Sequence, residues 1–486
     1  MADLVAELGE GAVLTEPAAL RLYGHDASTI RGDAPPVVCL PRTSRQVATC
    51  VRVAVAHGRP FMARGAGTGL AGGAVPTGDP VVIVTTRMDR VLHLDVPGRR
   101  AWVQPGVLNL DLDRRLAPHG LQFAPDPSSQ QACTIGGNVA NNSGGPHCLA
   151  LGVTSAHVLA VEVVLPDGEV VVLGGDGPEP PGYDLRGAFV GSEGTLGVAT
   201  AVLVRLTPLP PAVETMLVTF DDLDRAAATV SAIIAAGIVP AALEMMDGGL
   251  AAVVEDFCGA GYPRDAAAVL LVEVDGPPHQ VAADAAVVEA IARAEQARAV
   301  RGAADDAERA ALWKGRKSAF GAIARIRPDY YLHDTVVPRA ALVDVLRQVR
   351  AIAEDCDLLV FNVFHAGDGN LHPLLLFDAR EPGVMDRVHS AGRRIVEVSL
   401  AAGGVLSGEH GIGLEKRGFM ADMFGPADLE AQARLRCAFD PEGRSNPDKV
   451  LPGGSRCGDL AGGPASPGSA GPGAGAGDAA EAGLWV

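Results

Sequence analysis

Two histidines lie seven residues apart in the segment HAGDGNLH, which begins at His365 and separates two apolar runs. An Asp-Gly pair between apolar runs, here Asp368-Gly369, is typical of a β-hairpin turn. A two-residue turn at this pair places His365 directly opposite His372. Directly paired residues have Cβ atoms about 5 Å apart, so both imidazoles can reach one divalent ion. The spacing therefore predicts two ligands of a metal site.

A metal site of this kind needs a third ligand, preferably an anion. Glu409 offers a carboxylate beside a further histidine, His410, in a glycine-flanked loop. A site with several histidines and one carboxylate accepts zinc, manganese or iron, and affinity order alone does not select among them. The alternative interpretation is that these histidines are solvated or are satisfied within a core.

A glycine-rich loop, RGAGTGLAGG, begins at Arg64 and follows a strand-like run. Five of its ten residues are glycine, so its backbone N–H groups can point at one anion without interference from Cβ atoms. The spacing matches neither the Rossmann fingerprint nor the Walker A pattern. We interpret the loop as a pyrophosphate cradle, with a purely structural turn as the alternative.

Two further glycine-rich regions contain many Asn, Ser and Thr residues: PDPSS at 125–129 with TIGGNVANNSGG at 134–145, and GSEGTLG at 191–197. Amide and hydroxyl groups of this kind suit a flat heteroaromatic ring and a ribityl chain. Each region alone fits a tight turn. Three such loops in one half of the chain predict a single extended ligand.

The elements that must position these residues divide the chain into four segments. Residues 1–33 fit a short helical lead-in, and residues 34–211 mix strands with helices, including a helix at 44–57 capped by Ser44. Three prolines within Thr207-Pro208-Leu209-Pro210-Pro211 predict a domain border, because proline opposes both helix continuation and ladder pairing.

Beyond that border, residues 212–452 alternate strands with long alanine-rich helices, predicted at 223–236, 281–300 and 339–355. This pattern predicts an α+β domain whose antiparallel sheet is covered by helices on one face. Residues 453–486 are rich in Gly, Ala, Pro and Ser without periodicity, and we expect them to form a disordered tail.

Composition narrows the classes of protein to which the chain can belong. Its 486 residues carry a formal charge of −18, which argues against nucleic acid as a partner. The N-terminus shows no secretion signal, and the internal apolar runs are too short for a transmembrane segment. The eight cysteines form no CxxC pair, so we expect free thiols, no iron–sulfur cluster and a cytoplasmic location.

The three glycine-rich loops together resemble the FAD-binding domain of the vanillyl-alcohol oxidase (PCMH-type) flavoprotein superfamily, over about residues 34–211. The resemblance implies extended FAD, with its pyrophosphate at 65–69 and its flavin ring near 134–145. Superfamily members with covalent FAD carry a histidine in the first loop, and this chain has none there, so we expect non-covalent FAD. The cofactor-binding residues implied are Gly65, Ala66, Gly67, Thr68, Gly69, Pro125, Asp126, Thr134, Gly137, Asn138, Asn141, Ser143, Gly144, Glu193, Gly194, Val198 and Asn446.

The second half resembles the C-terminal domain of the FAD-linked glycolate oxidases and of their D-lactate and D-2-hydroxyglutarate dehydrogenase relatives. The motifs that carry this likeness are WKGRK at 313–317, PDYY at 328–331, VPR at 337–339, NVFHAGDGNLHP at 362–373 and GEHGIG at 408–413. The likeness implies a ferredoxin-like antiparallel-sheet substrate domain after the PCMH-type domain. It also implies that His365, His372 and Glu409 hold a divalent metal, zinc or manganese. His410 would then be the base, and Arg316 would bind the substrate carboxylate.

The resemblance predicts FAD-dependent oxidation of glycolate or a small D-2-hydroxy acid to the 2-oxo acid, by hydride transfer to flavin N5. Leu332 stands where the 2-hydroxyglutarate branch has a lysine, which disfavours a dicarboxylate substrate. Asp334-Thr335 replaces the usual Asp-Gly of the pattern, and we expect it to touch no proposed ligand. The alternatives are a D-lactate dehydrogenase, an oxidase of aromatic alcohols and a catalytically silent flavin-binding subunit.

Electrons must leave the flavin, and because the chain lacks iron–sulfur cysteine spacing we expect another protein to accept them, with oxygen as the alternative acceptor. The glycolate oxidase resemblance implies a separate iron–sulfur subunit, a quinone-linked partner or a cytochrome, with peripheral membrane association through such a partner. The native substrate, the electron acceptor, the metal and the oligomeric state are left open by the sequence.

Overall fold

The computed structural model describes residues 1–177 and 181–453, and the predicted disordered tail therefore lies outside the described residues from residue 454 onward. Among the helices of the described residues, none is both long and apolar enough to cross a bilayer. The chain folds into separate sheets before and after the proline-rich segment at residues 207–211.

The part of the chain before residue 211 contains a four-stranded sheet of order β1-β2-β4-β3 and a five-stranded antiparallel sheet of order β5-β6-β10-β8-β9. Its strands are β1 (Val13–Leu14), β2 (Val37–Cys39), β3 (Phe61–Arg64), β4 (Val81–Val84), β5 (Val91–Asp95), β6 (Arg100–Val103), β7 (Leu121–Gln122), β8 (Val158–Val164), β9 (Val170–Gly174), β10 (Val198–Arg205) and β11 (Thr207–Pro208). Its helices are α1 (Ala2–Leu8), α2 (Pro17–Leu20), α3 (Ser44–Ala56), α4 (Asn109–Leu116), α5 (Ile135–Asn141), α6 (Cys148–Leu151) and α7 (Leu185–Phe189).

Helix α3 illustrates how the sequence forms these elements. Its apolar residues recur at helical spacing and pack against β2, β3 and β4, with Val47 and Val51 fully buried. The predicted cap is wrong by one residue. Thr43, whose backbone is extended, is the N-cap, and its hydroxyl accepts a hydrogen bond from the Gln46 amide at 3.3 Å. Ser44 is already helical and donates instead to Glu162 at 2.5 Å.

The outer edge of β3 is covered by residues from the end of the described chain. The Phe61 amide donates to the Arg444 carbonyl at 2.9 Å, and the Asn446 amide donates to the Phe61 carbonyl at 2.8 Å. In this closing segment Val450 has a φ of +68°, an unfavourable conformation for a β-branched residue. The four-stranded sheet is therefore completed by residues 444–446, which come after the last strand of the described chain.

The part of the chain after residue 211 forms one large antiparallel sheet of order β15-β12-β14-β13-β18-β19-β17, with β20 pairing with β18 and β16. Its strands are β12 (Ala212–Phe220), β13 (Ala242–Asp247), β14 (Ala268–Gly276), β15 (Ala299–Gly302), β16 (Asp329–Leu332), β17 (Thr335–Val336), β18 (Leu359–His365), β19 (Asn370–Leu371) and β20 (Pro373–Phe377). Its helices are α8 (Leu223–Ala235), α9 (Gly248–Cys258), α10 (Pro278–Ala294), α11 (Asp306–Lys317), α12 (Ala319–Ile323), α13 (Leu342–Asp355), α14 (Val384–Ala401), α15 (Met420–Met423) and α16 (Pro426–Phe439).

The expected antiparallel sheet is confirmed, but the expected single layer of helices is wrong. Helices α8, α10, α13 and α14 cover one face, whereas α9, α11 and α12 cover the other. Strand β12 shows why both faces are covered. Met216 and Val218 pack in the core under α8, α10, α13 and α14, whereas Leu217 between them packs in the core under α9, α11 and α12. Strands buried on both faces are apolar at successive positions, so their sequence does not reveal one preferred face.

Two other expectations about elements need correction. The helix predicted at 281–300 ends at Ala294, because Gln296 takes a left-handed φ of +63° and the chain then forms strand β15. Thr207 and Pro208 do enter a ladder, pairing with Gln122 and Leu121 in a two-stranded sheet. The domain boundaries at 34–211 and 212–452 remain predictions.

The cysteines mostly follow the expectation of free thiols. Among the residues that the structure describes, six are free, namely Cys39, Cys50, Cys133, Cys148, Cys258 and Cys356. The expectation is wrong for Cys437, which is in a disulfide bond.

Candidate active site

A single cavity of about 520 Å³ is lined both by the glycine-rich loops and by side chains from the large antiparallel sheet and its helices. The second group includes Arg316, Phe320, Tyr330, His372, Glu409 and His410. The predicted cofactor residues on its wall are Gly65, Ala66, Gly67, Thr68, Gly69, Thr134, Gly137, Asn138, Asn141, Ser143, Glu193, Gly194 and Val198. The two sets of chemistry-bearing residues therefore share one space.

The first glycine-rich loop packs too closely for side chains at key positions. A Cβ atom at Gly65 would lie 2.5 Å from the Thr134 hydroxyl, and one at Gly67 would collide with the Arg64 guanidinium. Gly67 also has a φ of +74°, which glycine adopts without strain. Glycine is therefore required at both positions, and a loop without these side chains is what a backbone cradle for a phosphate-bearing ligand needs.

Four predicted cofactor residues, Pro125, Asp126, Gly144 and Asn446, are not on the wall of this cavity. Asp126 instead pairs with the His147 ring at 3.0 Å. The Asn446 side chain donates to the carbonyl of Glu193 at 2.7 Å. This hydrogen bond holds the loop in which Glu193 lines the cavity. Direct contact of these four residues with FAD remains a prediction.

The hairpin that contains the two histidines differs in register from the prediction. The loop between β18 and β19 has four residues rather than two, and His365 lies opposite Asn370 instead of His372. The register is therefore displaced by two residues. Because side chains alternate with period two, an even displacement keeps both histidines on one face. Their ring centroids are 5.1 Å apart, so the predicted proximity is present despite the wrong register.

Glu409 brings a carboxylate to the two histidines. Its Oε1 lies 3.3 Å from His365 Nε2 and 3.5 Å from His372 Nε2. The three candidate ligand atoms lie within 4.8 Å of one another, and His372 Nε2 is buried without a hydrogen-bond partner. Two imidazole nitrogens and one carboxylate oxygen form a donor set that suits zinc or manganese. The residues present thus fit a divalent ion.

His410 completes this cluster. Its ring stacks on that of His372, with centroids 5.0 Å apart and an interplanar angle of 21°. Burial lowers the pKa of His410 to about 4, although the Asp334 and Glu409 carboxylates oppose the shift. At neutral pH its imidazole is therefore uncharged and has a free lone pair that can accept a proton.

Asp334 is a member of the cluster that sequence reasoning missed. This fully buried carboxylate accepts hydrogen bonds from the Gly408 amide at 3.0 Å and the His410 amide at 2.9 Å. The Lys416 ammonium lies 3.3 Å away and helps to hold the pKa of Asp334 well below its usual range against the effect of burial. Asp334 thus anchors the loop that presents Glu409 and His410.

The expectation that Asp334 touches no proposed ligand is therefore wrong. Its Oδ1 lies 3.6 Å from His372 Nε2, and Asp334, His372 and His410 form a second group of atoms within 4.8 Å of one another. The oxygens of Asp334 are nevertheless engaged by the loop amides and by a neighbouring cation, whereas Oε1 of Glu409 lies against His365 and His372. The Glu409 carboxylate is accordingly less engaged by other protein groups, and its role as a metal ligand remains a prediction.

Arg316 reaches the same cavity from the last turn of α11 and is 2% exposed. Its Nη2 lies 2.5 Å from Oε2 of Glu244, a second residue that sequence reasoning missed. Oε1 of Glu244 accepts a hydrogen bond from His365 Nδ1 at 2.7 Å. Burial opposes charge on His365, yet the Glu244 and Glu409 carboxylates together raise its pKa to about 10. The available signal was an acid, Glu244, between apolar residues on both sides in the strand segment ALEMM.

Two predicted cofactor residues also hold the loop that contains His410. The Asn141 side chain donates to the His410 carbonyl at 2.8 Å. The Glu193 carboxylate accepts from the amides of Ile412 at 2.7 Å and Gly413 at 2.8 Å, and burial raises its pKa to about 7. The glycine-rich loops are therefore bound directly to the histidine-bearing loop.

Two protein-family models match this chain, one in each half of the sequence. The FAD binding domain model matches residues 35–174, and the model for the C-terminal domain of FAD linked oxidases matches residues 209–450. The first match contains the loops at 65–69 and 134–145, and the second contains Arg316 and the histidine cluster.

Curated relatives match nearly the whole chain. It is 48% identical over 438 residues to the glycolate oxidase subunit GlcD of Escherichia coli K12, covering 90% of this chain and 88% of the relative. It is 39% identical to the glycolate oxidase subunit GlcD of Bacillus subtilis 168, covering 88% and 92%. It is also 33% identical to a D-lactate dehydrogenase of Anaerostipes hadrus, again covering 88% and 92%.

Solved structures with little sequence identity share the fold. p-Cresol methylhydroxylase with substrate bound superposes with a TM-score of 0.78 at 17% identity, over 93% of this chain and 96% of that one. The 4-ethylphenol oxidase of Gulosibacter chungangensis, in its isoeugenol complex, gives 0.77 at 18% identity, with the same coverage. These likenesses confirm the PCMH-type fold.

Proposed function

The chain belongs to the FAD-linked oxidase family, and from that premise we propose that it oxidises glycolate or a small D-2-hydroxy acid to the 2-oxo acid. The relatives that match it are named for glycolate and for D-lactate, and both compounds are 2-hydroxy acids. In the proposed reaction the substrate loses its α-hydrogen as a hydride to FAD and its hydroxyl proton to the protein.

The observation that carries this proposal is the composition of one cavity wall. Arg316, His410 and two members of the histidine–carboxylate group line the same cavity as the glycine-rich loops. A 2-hydroxy acid presents a carboxylate and an adjacent hydroxyl, and this wall offers a cation for the first and a proton acceptor for the second. An aromatic alcohol would use neither group.

Arg316 is proposed to bind the substrate carboxylate. A guanidinium donates two parallel N–H bonds to a carboxylate and so fixes its orientation as well as its position. Lys317 lines the same cavity and adds a second positive charge. Burial of Arg316 among protein groups strengthens the interaction, because little water competes for the donors.

His410 is proposed to take the hydroxyl proton. Its low pKa leaves the ring neutral before reaction, and the nearby Asp334 and Glu409 carboxylates favour the positively charged ring that results. Bound FAD supplies the hydride acceptor. A divalent ion held by His365, His372 and Glu409 supplies Lewis acidity toward the substrate hydroxyl.

The aromatic side of the cavity supports a small substrate. Phe320 and Tyr330 line it, with ring centroids 6.0 Å apart. Leu332, at the position of the lysine in the 2-hydroxyglutarate branch, is buried in the core behind them. A hydrogen or methyl substituent suits this wall better than a second carboxylate, which contact with the two rings would desolvate. D-Lactate is accordingly the second candidate, favoured by the matching D-lactate dehydrogenase.

We further propose that the reduced flavin passes its electrons to a separate iron–sulfur or quinone-linked subunit. Two of the matching relatives are named as subunits of a glycolate oxidase, which supports such a partner. The metal is proposed to be zinc or manganese.

Anaerobic reduction of the bound flavin tests the proposed function. The purified protein is mixed with glycolate, D-lactate, L-lactate or D-2-hydroxyglutarate, before and after treatment with a chelator, and flavin absorbance is followed. We expect rapid bleaching with glycolate or D-lactate, and its loss after chelation. No bleaching with any of the four acids would contradict the proposal and favour a catalytically silent flavin-binding subunit.

A further inference from the structure

Glu244 occupies an unusual position for an acid. It lies on the central strand β13, its side chain is 1% exposed, and its backbone is paired directly opposite His365 of β18. One carboxylate oxygen accepts from His365 Nδ1 at 2.7 Å, and the other lies 2.5 Å from Arg316 Nη2. A single carboxylate therefore contacts both a candidate metal ligand and the candidate substrate anchor.

The contact with His365 determines which ring nitrogen is protonated. An ionised carboxylate only accepts hydrogen bonds, so Nδ1 must carry the proton that it donates to Glu244. By the same rule Nε2 donates to Glu409, 3.3 Å away, while no metal is bound, and a divalent ion that binds Nε2 would displace that proton while Nδ1 keeps its hydrogen bond to Glu244. A carboxylate in this relation orients a metal-binding histidine and increases its basicity.

The contact with Arg316 is incomplete. The Nε and Nη2 atoms of Arg316 and the Oε2 atom of Glu244 are buried, yet none has a well-aligned hydrogen bond. Buried donors without partners are unfavourable, so the arginine retains a strong preference for a further acceptor. Because Arg316 lines the cavity, a carboxylate entering there can supply that acceptor.

We propose that Glu244 is the positioning residue of this site. It keeps the proton of His365 on Nδ1, so that Nε2 is the nitrogen that binds metal, and it orients Arg316 toward the substrate carboxylate. This inference rests on the proposed function, in which His365 is a metal ligand. It assigns Glu244 no direct contact with the substrate. Glu244 acts through His365 and Arg316, so its loss must appear in metal affinity as well as in turnover.

A purely structural role for Glu244 is the competing explanation, and the chain contains a matched control. Glu273 lies on the neighbouring strand β14, and its side chain is 2% exposed. It also pairs with one histidine, His147, and with one arginine of α11, Arg309. Neither partner belongs to the metal-binding group. Neutralising Glu273 therefore reproduces the loss of a buried charge without touching a metal ligand.

The experiment compares the wild-type protein with Glu244→Gln and Glu273→Gln. Each FAD-loaded protein is stripped with a chelator and dialysed. Zn²⁺, and in a second series Mn²⁺, is then titrated in competition with a chromophoric chelator. Bound FAD per chain and the melting temperature show whether each variant is folded. The readout is the metal dissociation constant, which does not depend on turnover.

We expect Glu244→Gln to weaken Zn²⁺ affinity about 10- to 100-fold, the usual effect of removing such a carboxylate partner. The glutamine still accepts weakly from His365, but its amide group repels Arg316, so KM for the acid should rise as well. Glu273→Gln should change Zn²⁺ affinity by less than about twofold while lowering the melting temperature.

A double variant shows whether Glu244 acts through His365. In a His365→Asn background, adding Glu244→Gln should cause no further loss of Zn²⁺ affinity, because the group it positions is absent. If Glu244→Gln fails to retain FAD, the decision passes to Glu244→Asp. This variant keeps the charge but withdraws it from Nδ1, and at least about a threefold loss of affinity is expected.

The metal titrations separate failure of this inference from failure of the proposed function. Wild-type Zn²⁺ affinity in Glu244→Gln, or an equal loss in Glu273→Gln, overturns the inference and leaves the proposed function standing. A wild-type protein that binds neither Zn²⁺ nor Mn²⁺ overturns the metal component of the proposed function together with this inference. Selective loss in Glu244→Gln that is absent in the His365→Asn background supports it.

Discussion

The buried acids Glu244 and Glu273 lie on adjacent strands, and each pairs with one histidine and one arginine of α11, but their surroundings differ. The Glu273 carboxylate also accepts from Thr215 at 2.5 Å and Trp313 at 2.7 Å. Among the described residues, no buried side-chain atom of Glu273 or its four partners lacks a hydrogen bond. The Glu244 cluster leaves several such atoms unpaired.

This difference in hydrogen bonding separates a cluster without unpaired buried atoms from one that adjoins the cavity and has several. The saturated cluster joins the two halves of the chain, since His147 contacts both Asp126 from the first half and Glu273 from the second. Its polar groups have nothing left to offer a ligand. The unsaturated cluster adjoins the cavity and keeps donors for an incoming acid. Similar residue types therefore differ in how fully they are hydrogen-bonded, and we expect the cluster with unpaired buried atoms to be the one that binds a ligand.

The largest difference between the two clusters should come from replacing the arginine of each cluster, separately, by glutamine. Arg316→Gln is expected to lower kcat/KM for glycolate about 1000-fold, about 4 kcal/mol, because the carboxylate anchor is lost. Arg309→Gln should change kcat/KM less than about threefold and lower the melting temperature by a few degrees, since Glu273 retains its other donors. Steady-state kinetics and thermal melts on both variants measure this contrast. Equal losses of activity would remove the distinction between the clusters.

The two histidines offer the next contrast. His365→Asn should lower the rate of anaerobic flavin reduction about 100-fold and leave the protein with less than one metal per chain, because one of three ligands is removed. His147→Asn should retain the metal and a near-normal rate. Stopped-flow absorbance and elemental analysis provide both readouts. Loss of metal from His147→Asn would contradict the assignment.

Alkaline pH should remove the stability that protonated His147 gives to the Glu273 cluster. Burial opposes charge on His147, yet Asp126 and Glu273 raise its pKa to about 10, above the roughly 6.5 of an unfolded histidine. A raised pKa stabilises the fold fully below pH about 6.5, and the contribution disappears as pH rises through about 10. The melting temperature of wild type should thus exceed that of His147→Asn by several degrees at pH 7. The gap should narrow by pH 10.5, and a constant gap would contradict this prediction.

The smallest effect tests whether the saturated cluster tolerates the loss of one donor. Trp313→Phe removes the indole N–H that donates to Glu273 and keeps an aromatic ring, although a smaller one, against His147. Three other residues still bond to that carboxylate, so we expect a loss of about 1 kcal/mol and a fall in melting temperature of about 2–4 °C. Metal affinity should not change. Differential scanning calorimetry and the Zn²⁺ titration check both parts.

Sequence reasoning succeeded where a short segment carries the whole signal. The glycine-rich loops, the HAGDGNLH segment and the Glu409-His410 pair are contiguous, and the structure brings their residues to one cavity. Even the wrong hairpin register kept His365 and His372 on one face, because the displacement was even.

Residues that act across long separations escaped prediction. Glu244 meets His365 only because β13 and β18 pair, and the two residues are 121 positions apart. Asp334 binds a loop that follows it by more than seventy residues. The helices on both faces of the sheet were missed because strands buried on both sides show no alternation. In each case the deciding contact is tertiary.

The closure of the first sheet has a consequence for biosynthesis. Strand β3 is made early, but its outer edge pairs with residues 444–446 at the far end of the described chain. While the ribosome is still at work, that edge carries unpaired N–H and C=O groups that another strand can capture. Completion of this sheet therefore has to wait until residues 444–446 have been synthesised, and chains truncated before them should be prone to aggregate through β3.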